Sequence, residues 1–255
     1  MYRPRIIPVL LLKDDGLIKT IKFNKKKARY IGDPINAVKI FNDLEADELV
    51  FLDVLATKKN DVINLDLVKK IGDEAYMPFA VGGGINNLSQ VDKILKFGAE
   101  KVVINTAGIN NLGLIKEISL KYGSQSIIGS VDVKKNLFGK YVVFIESGKK
   151  KIKKSLLEVI KSIEISGAGE IMIQSIDNDG LMTGYDYPLI DFVSSHSNLP
   201  VIAAGGCGSL MDMKLANQKG GANALAAGSF FVYNGPRNAV LINYPTKEEI
   251  YKNFT

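Results

Sequence analysis

Two stretches of the chain read alike. The first half contains ADELVFLD, MPFAVGGGI and GAEKVVINTA in that order; the second contains AGEIMIQSID, LPVIAAGGCG and GANALAAGSF. Each set gives a strand-like run after a glutamate, then a proline and an apolar run into glycines, then a run ending in small residues. The period is about half the chain, which argues for two fused halves of one fold rather than a solenoid. Around these segments, short β-rich runs alternate with amphipathic stretches from end to end. Strands are expected over 6–12, 48–54, 78–81, 101–104, 127–133, 170–174, 200–203 and 224–226. Helices are expected over 34–44, 65–75, 89–97, 113–122, 155–166, 188–196, 211–218 and 246–253. The prolines of GDPINAV and DYPLIDF sit where a first helical turn accepts them. Eight alternations predict a parallel (β/α)8 TIM barrel of two half-barrels, and the nearly continuous apolar strands fit a sheet covered on both faces. At 255 residues, one such barrel uses the chain 1–255 as a single domain. KKNLFGKYVVFIESGKKK, after the fifth strand, reads as an inserted β-hairpin.

Composition removes several classes of function. No apolar run approaches the ~20 residues of a membrane span, so no membrane partner is expected. The N-terminal RIIPVLLL is followed at once by Lys13, Asp14 and Asp15, and reads as a strand rather than a signal peptide. A single cysteine, Cys207, allows no internal disulfide and fits a cytoplasmic location. With one histidine, His196 at a helix end, and no Cys/His cluster, neither metal nor cofactor is expected. The net charge of +6 is concentrated in NKKKAR and GKKKIKK. These runs lack interleaved aromatics, so nucleic acid is not indicated; they are either solvated loop charge or attractors of a phosphorylated substrate or acidic partner.

The strand ends carry the candidate chemistry. Gly83 and Gly84 close the third strand, Gly205 and Gly206 the seventh, and a helix follows each; glycine lets backbone N–H groups approach a phosphate there. Asn105 and Thr106 after the fourth strand, and Gly228 and Ser229 after the eighth, add donors. Ordinary turn glycines are the plain alternative, but the duplicated arrangement points to two phosphates, one on each side of the mouth. Asp132 ends the fifth strand, and Asp177 and Asp179 follow the sixth, where a carboxylate is placed for acid–base work or for capping a loop.

With these motifs assembled, the chain resembles the HisF-type cyclase subunit of imidazole glycerol phosphate synthase almost end to end. The likeness rests on RIIP, IGDP, ADELVFLD, VGGGI, VVINTA, GAGEI, SIDNDG, TGYD and LPVIAAGG. It implies a phosphate site in each half-barrel, a HisH-like glutaminase partner in a heterodimer, and ammonia passing from the barrel floor to a substrate at its top. It implies catalysis by two aspartates, one matching Asp132; the other position, on strand one, is Leu11 here. It also implies an ammonia gate of Arg5, Glu48, Lys101 and Glu170, although such a ring could simply close the floor, and it places Lys19 in a mobile loop after strand one. Leucine cannot transfer a proton, so the ordinary cyclase step is expected to suffer. LLLK and IKTIKF further resemble a second HisF-like, WbuZ-type offshoot found with surface-polysaccharide genes. That likeness implies ammonia supply to a sugar amidotransferase making an acetamidino sugar. Two other readings stay open: a histidine-pathway cyclase that tolerates Leu11, and a non-catalytic subunit binding a phosphorylated small molecule.

Overall fold

The computed structural model describes residues 3–254. The first half runs β1 (Arg5–Lys13), β2 (Gly16–Lys19), β3 (Arg29–Gly32), α1 (Pro34–Asp43), β4 (Leu49–Asp53), α2 (Ala56–Lys59), α3 (Leu65–Glu74), β5 (Phe79–Gly82), α4 (Leu88–Lys96), β6 (Lys101–Ile104), α5 (Thr106–Asn110) and α6 (Leu112–Tyr122). The second runs β7 (Ile127–Lys135), β8 (Tyr141–Ile145), β9 (Lys150–Lys151), α7 (Leu156–Ile165), β10 (Glu170–Ser175), α8 (Tyr187–His196), β11 (Val201–Ala204), α9 (Leu210–Gln218), β12 (Ala224–Ala227), the short pair β13 (Tyr233–Asn234) and β14 (Ala239–Val240), and α10 (Lys247–Phe254).

Parallel pairing runs β10-β11-β12-β1-β4-β5-β6-β7, and β7 pairs back to β10. The eight strands therefore close into the (β/α)8 barrel that the alternation predicts. Alternate residues on each strand face opposite ways, and this sorts the core into two layers. Ile7, Val50, Ala80, Ile128, Ile202 and Ala224 fill the lumen, while Ile6, Leu10, Leu12 and Phe51 pack outward under the helices. Helix starts follow their local sequence. Asp33 caps α1 by accepting from the Asn36 N–H at 2.9 Å, with Pro34 in the first turn. Ser155 and Glu158 form a reciprocal capping box on α7. Among the described residues, no helix is long and apolar enough to cross a membrane.

The expected insertion is present: β8 turns back antiparallel on β7, pairing Phe144 with Asp132 and Tyr141 with Lys135. A second hairpin had no counterpart in the sequence reading. β1 turns at Asp14, which adopts a left-handed conformation (φ 54°), and β2 pairs back on it, Leu11 opposite Ile18. Lys19 lies in this segment between β1 and α1. It ends strand β2 and is 5% exposed, because Leu17 and Ile18 beside it bury against the barrel and draw the backbone in.

Candidate functional site

The C-terminal ends of the strands surround a cavity of about 360 Å³. Its floor is apolar: Val9, Leu52, Val103, Met172, Ala204 and Ala226. Its walls bring together Leu11, Lys19, Asn105, Thr106, Asp132 and Asp179, together with both glycine turns, Gly83–Gly84 and Gly205–Gly206, and with Gly228 and Ser229. The turns are built alike. Gly84 (φ +68°) and Gly206 (φ +109°) adopt conformations that side chains disfavour, and a Cβ would strike the Asp61 carbonyl at one and the Gly184 carbonyl at the other. Both are close backbone approaches beside an open cavity, as a phosphate cradle requires.

Asp177 is the expected residue that stays outside. Its carboxylate accepts from the Lys135 N–H at 2.8 Å, tying the turn after β10 to the hairpin base. Asp179, two residues on, turns inward. It accepts from Gln174 Nε2 at 3.1 Å and from the Phe23 N–H at 3.4 Å. The Lys22 N–H donates to the Asp179 carbonyl at 3.0 Å, so the segment after β2 is fastened over the mouth.

Three buried charges set the electrostatics. Burial pushes the Asp132 carboxyl up to about 7, reinforced by the neighbouring Asp179 charge and opposed by a hydrogen bond from Asn105. Burial also raises Asp179, to about 6, against the pull of Lys19. Burial lowers Lys19 to about 8, against the attraction of Asp179. The Lys19 ammonium donates to the Val9 carbonyl and stands where a side chain at Gly228 would lie. Thus a lysine reaches the turn after the eighth barrel strand, and a carboxyl held near 7 at Asp132 suits a general acid or base. Leu11, half-buried, brings an apolar side chain to the cavity wall. Asp14 is exposed and pairs with Lys59 at 2.8 Å. Cys207 lines the cavity, but burial pushes its thiol up to about 12, so it is not a ready nucleophile.

At the other end of the lumen, four charges alternate around a ring. Arg5 binds Glu48 and, at 2.8 Å, Glu170; Lys101 binds Glu48 at 3.1 Å and Glu170 at 3.0 Å. Burial works against the Arg5 charge, but the hydrogen bonds it donates to Glu170 and Glu48, together with the attraction of their charges, outweigh it and hold the pKa above its ordinary value. Glu48 is 2% exposed. Between ring and mouth the lumen is lined by the apolar layer of Ile7, Val50, Ala80, Ile128, Ile202 and Ala224.

Asp53 and Lys25 are among the cavity residues that the sequence did not single out. Asp53 ends β4, where the strand-end rule that singled out Asp132 applies equally; it caps the following turn by accepting from the Leu55 N–H at 2.7 Å and the Ala56 N–H at 3.0 Å. Lys25 lay hidden in a run that reads as solvated charge. Among the described residues, no group of three or more His, Cys, Asp or Glu is placed to hold a metal.

The comparisons with known proteins point one way. Residues 5–236 match the model of the family described as histidine biosynthesis protein. A Pseudomonas aeruginosa protein, provisionally named imidazole glycerol phosphate synthase subunit hisF2, is 46% identical over 245 residues, covering 96% of this chain and 97% of its own length. A Vibrio vulnificus protein, provisionally named subunit hisF3, is 43% identical over 250 residues, covering 98% and 95%. The imidazole glycerol phosphate synthase subunit HisF of Alkaliphilus metalliredigens is 38% identical over 234 residues, covering 92% of each chain.

Proposed function

The chain belongs to the histidine biosynthesis protein family as a HisF-like barrel, and from that premise we propose that it receives ammonia from a HisH-like glutaminase and conducts it to an acceptor other than the family's usual one. One observation carries this reading: the floor ring is complete while the mouth has Leu11 where the family's second catalytic acid is expected. The lumen between them supports conduction of the neutral molecule. Its apolar lining disfavours ammonium, whose charge would lose its hydration, but accepts NH3. The ring then acts as the gate: opening it requires one of four paired charges to swing aside. Exposed apolar side chains at the same end, Tyr76 between α3 and β5 and Ile165 at the end of α7, fit a protein partner seated on the floor.

At the mouth, the two cradles hold a phosphorylated small molecule, with Lys19 as a cation beside the second. In the finer form of the proposal the ammonia goes to a sugar amidotransferase that makes an acetamidino sugar for a surface polysaccharide; the LLLK and IKTIKF segments support it. Asp132 favours a second reading. A buried carboxyl titrating near 7 is suited to acid–base work, which a histidine-pathway cyclase would use.

The test mixes the purified chain with a HisH-type glutaminase and follows glutamate release from glutamine. The expected result is a complex and stimulation of about tenfold or more, a typical size for coupling between sites. Neither complex nor stimulation would remove the ammonia-conducting reading.

A further inference from the structure

The two lysine runs, far apart in sequence, meet at one edge of the mouth. In the first, Lys26 and Lys27 are exposed but Lys25 turns inward, half-buried, and lines the cavity. Its ammonium donates to the Val54 carbonyl, just past β4, and to Ser147 Oγ at 3.1 Å, in the turn after β8. The neighbouring Glu146 N–H donates to Thr106 Oγ1 at 3.0 Å, so Lys25 is fixed against the first-half cradle. Gly148 sits against the Phe23 ring, closing the same contact between the segment after β2 and the hairpin.

Positive charge is in excess here, with one carboxylate, Asp53, set against several lysines. Burial first, and then Lys149 of the second run and Lys58, hold the Lys25 pKa below its ordinary value, against the attraction of Asp53. The nearby acids make their direct contacts with other groups. Asp53 accepts from the Leu55 and Ala56 N–H groups, and Glu146 faces Lys150 at 3.6 Å. Among the described residues, no carboxylate forms an ion pair with Lys25. Like charges drawn together at a cavity rim repel, and an anion in the space between them relieves that cost.

We propose that Lys25, Ser147 and Lys149 form an anion subsite on the rim beside the first glycine cradle, and that it takes a phosphoryl group of the cavity's ligand. The ammonium groups supply charge and the Ser147 hydroxyl a directed hydrogen bond. The subsite rests on the mouth being the ligand site, and not on which reaction occurs there.

The test titrates the full chain with inorganic phosphate, and separately with succinate, while recording the amide resonances of Val54, Glu146 and Ser147 and, as a second set, Gly205, Gly206 and Ser229. Phosphate is expected to shift the first set in a saturable way, more tightly than succinate. Lys25→Gln is expected to weaken that response about tenfold, the worth of one charge-assisted hydrogen bond, while the second set responds as in the wild type. Lys149→Gln weakens the first set by a smaller factor, and Lys26→Gln changes neither. A Lys25→Gln protein that titrates like the wild type, or phosphate that moves only the second set, would overturn the subsite. Tighter binding of succinate would overturn its assignment to phosphoryl groups. Expected shifts together with an unstimulated glutaminase would leave the subsite standing and remove only the ammonia-conducting reading.

Discussion

The two ends of this barrel treat charge in opposite ways. At the floor, two cations and two carboxylates alternate, and each contacts both of its opposite-sign neighbours. At the mouth, Asp132 and Asp179 are pushed up, Lys19 is pushed down, and Lys25 has no carboxylate partner among the described ion pairs. A balanced ring satisfies itself and needs no ligand. An unbalanced mouth is stabilised by what binds there, which is the usual signature of a functional site.

The contrast can be broken first at the floor. Glu48→Gln leaves Arg5 and Lys101 sharing one carboxylate. Removing one member of a buried ionic network costs about 3 kcal/mol, and urea unfolding should show it. A loss near zero would mean that water already dissolves the ring. At the mouth the sign reverses. An acid whose pKa rises from 3.8 to about 7 on folding contributes stability below pH 3.8 that is lost as pH rises through about 7. Asp132→Asn should therefore gain on the wild type across that window and be more stable by about 2 kcal/mol at pH 8. Parallel thermal melts at pH 4 and pH 8 check the crossover, and an advantage independent of pH would contradict it.

Leu11→Asp sharpens the difference further. It exchanges a half-buried apolar side chain for a third carboxylate near Asp132 and Asp179, at a cost of about 1–2 kcal/mol in stability. If the remaining site fits the family's substrate, the variant also gains cyclase turnover. The smallest effect belongs to the exposed pair Asp14–Lys59: Lys59→Ala should leave the melting temperature unchanged.

Much of this architecture was legible in the chain itself. The eight strands, the inserted hairpin and the proline-marked starts of α1 and α8 follow from apolar runs and prolines that act locally. The β2–β3 ribbon was not legible, because GLIK and RYIG are four-residue strands separated by a lysine-rich loop. RYIG is mostly exposed and neither segment carries the continuous apolar run that marks barrel strands of the same length, such as β5 and β12. The glycine turns were visible as a duplicated pattern. The direction in which each acid points was not: Asp177 and Asp179 look equivalent in SIDNDG, and only the docking of the segment after β2 onto Asp179 separates them. Lys25 was concealed for the same reason, since one lysine among three turns inward only when Val54 and Ser147 are brought to meet it.

The central claim, a conducting barrel whose own cyclase step is disabled, is tested most directly by supplying the purified chain with the substrate of an ordinary HisF cyclase and excess ammonium salt, with no glutaminase present. Loss of one general acid–base group predicts turnover roughly 10²–10⁴-fold below that of an ordinary HisF subunit, partly recovered in Leu11→Asp. Turnover equal to that of an ordinary HisF subunit would contradict the claim and make this chain a working cyclase despite Leu11.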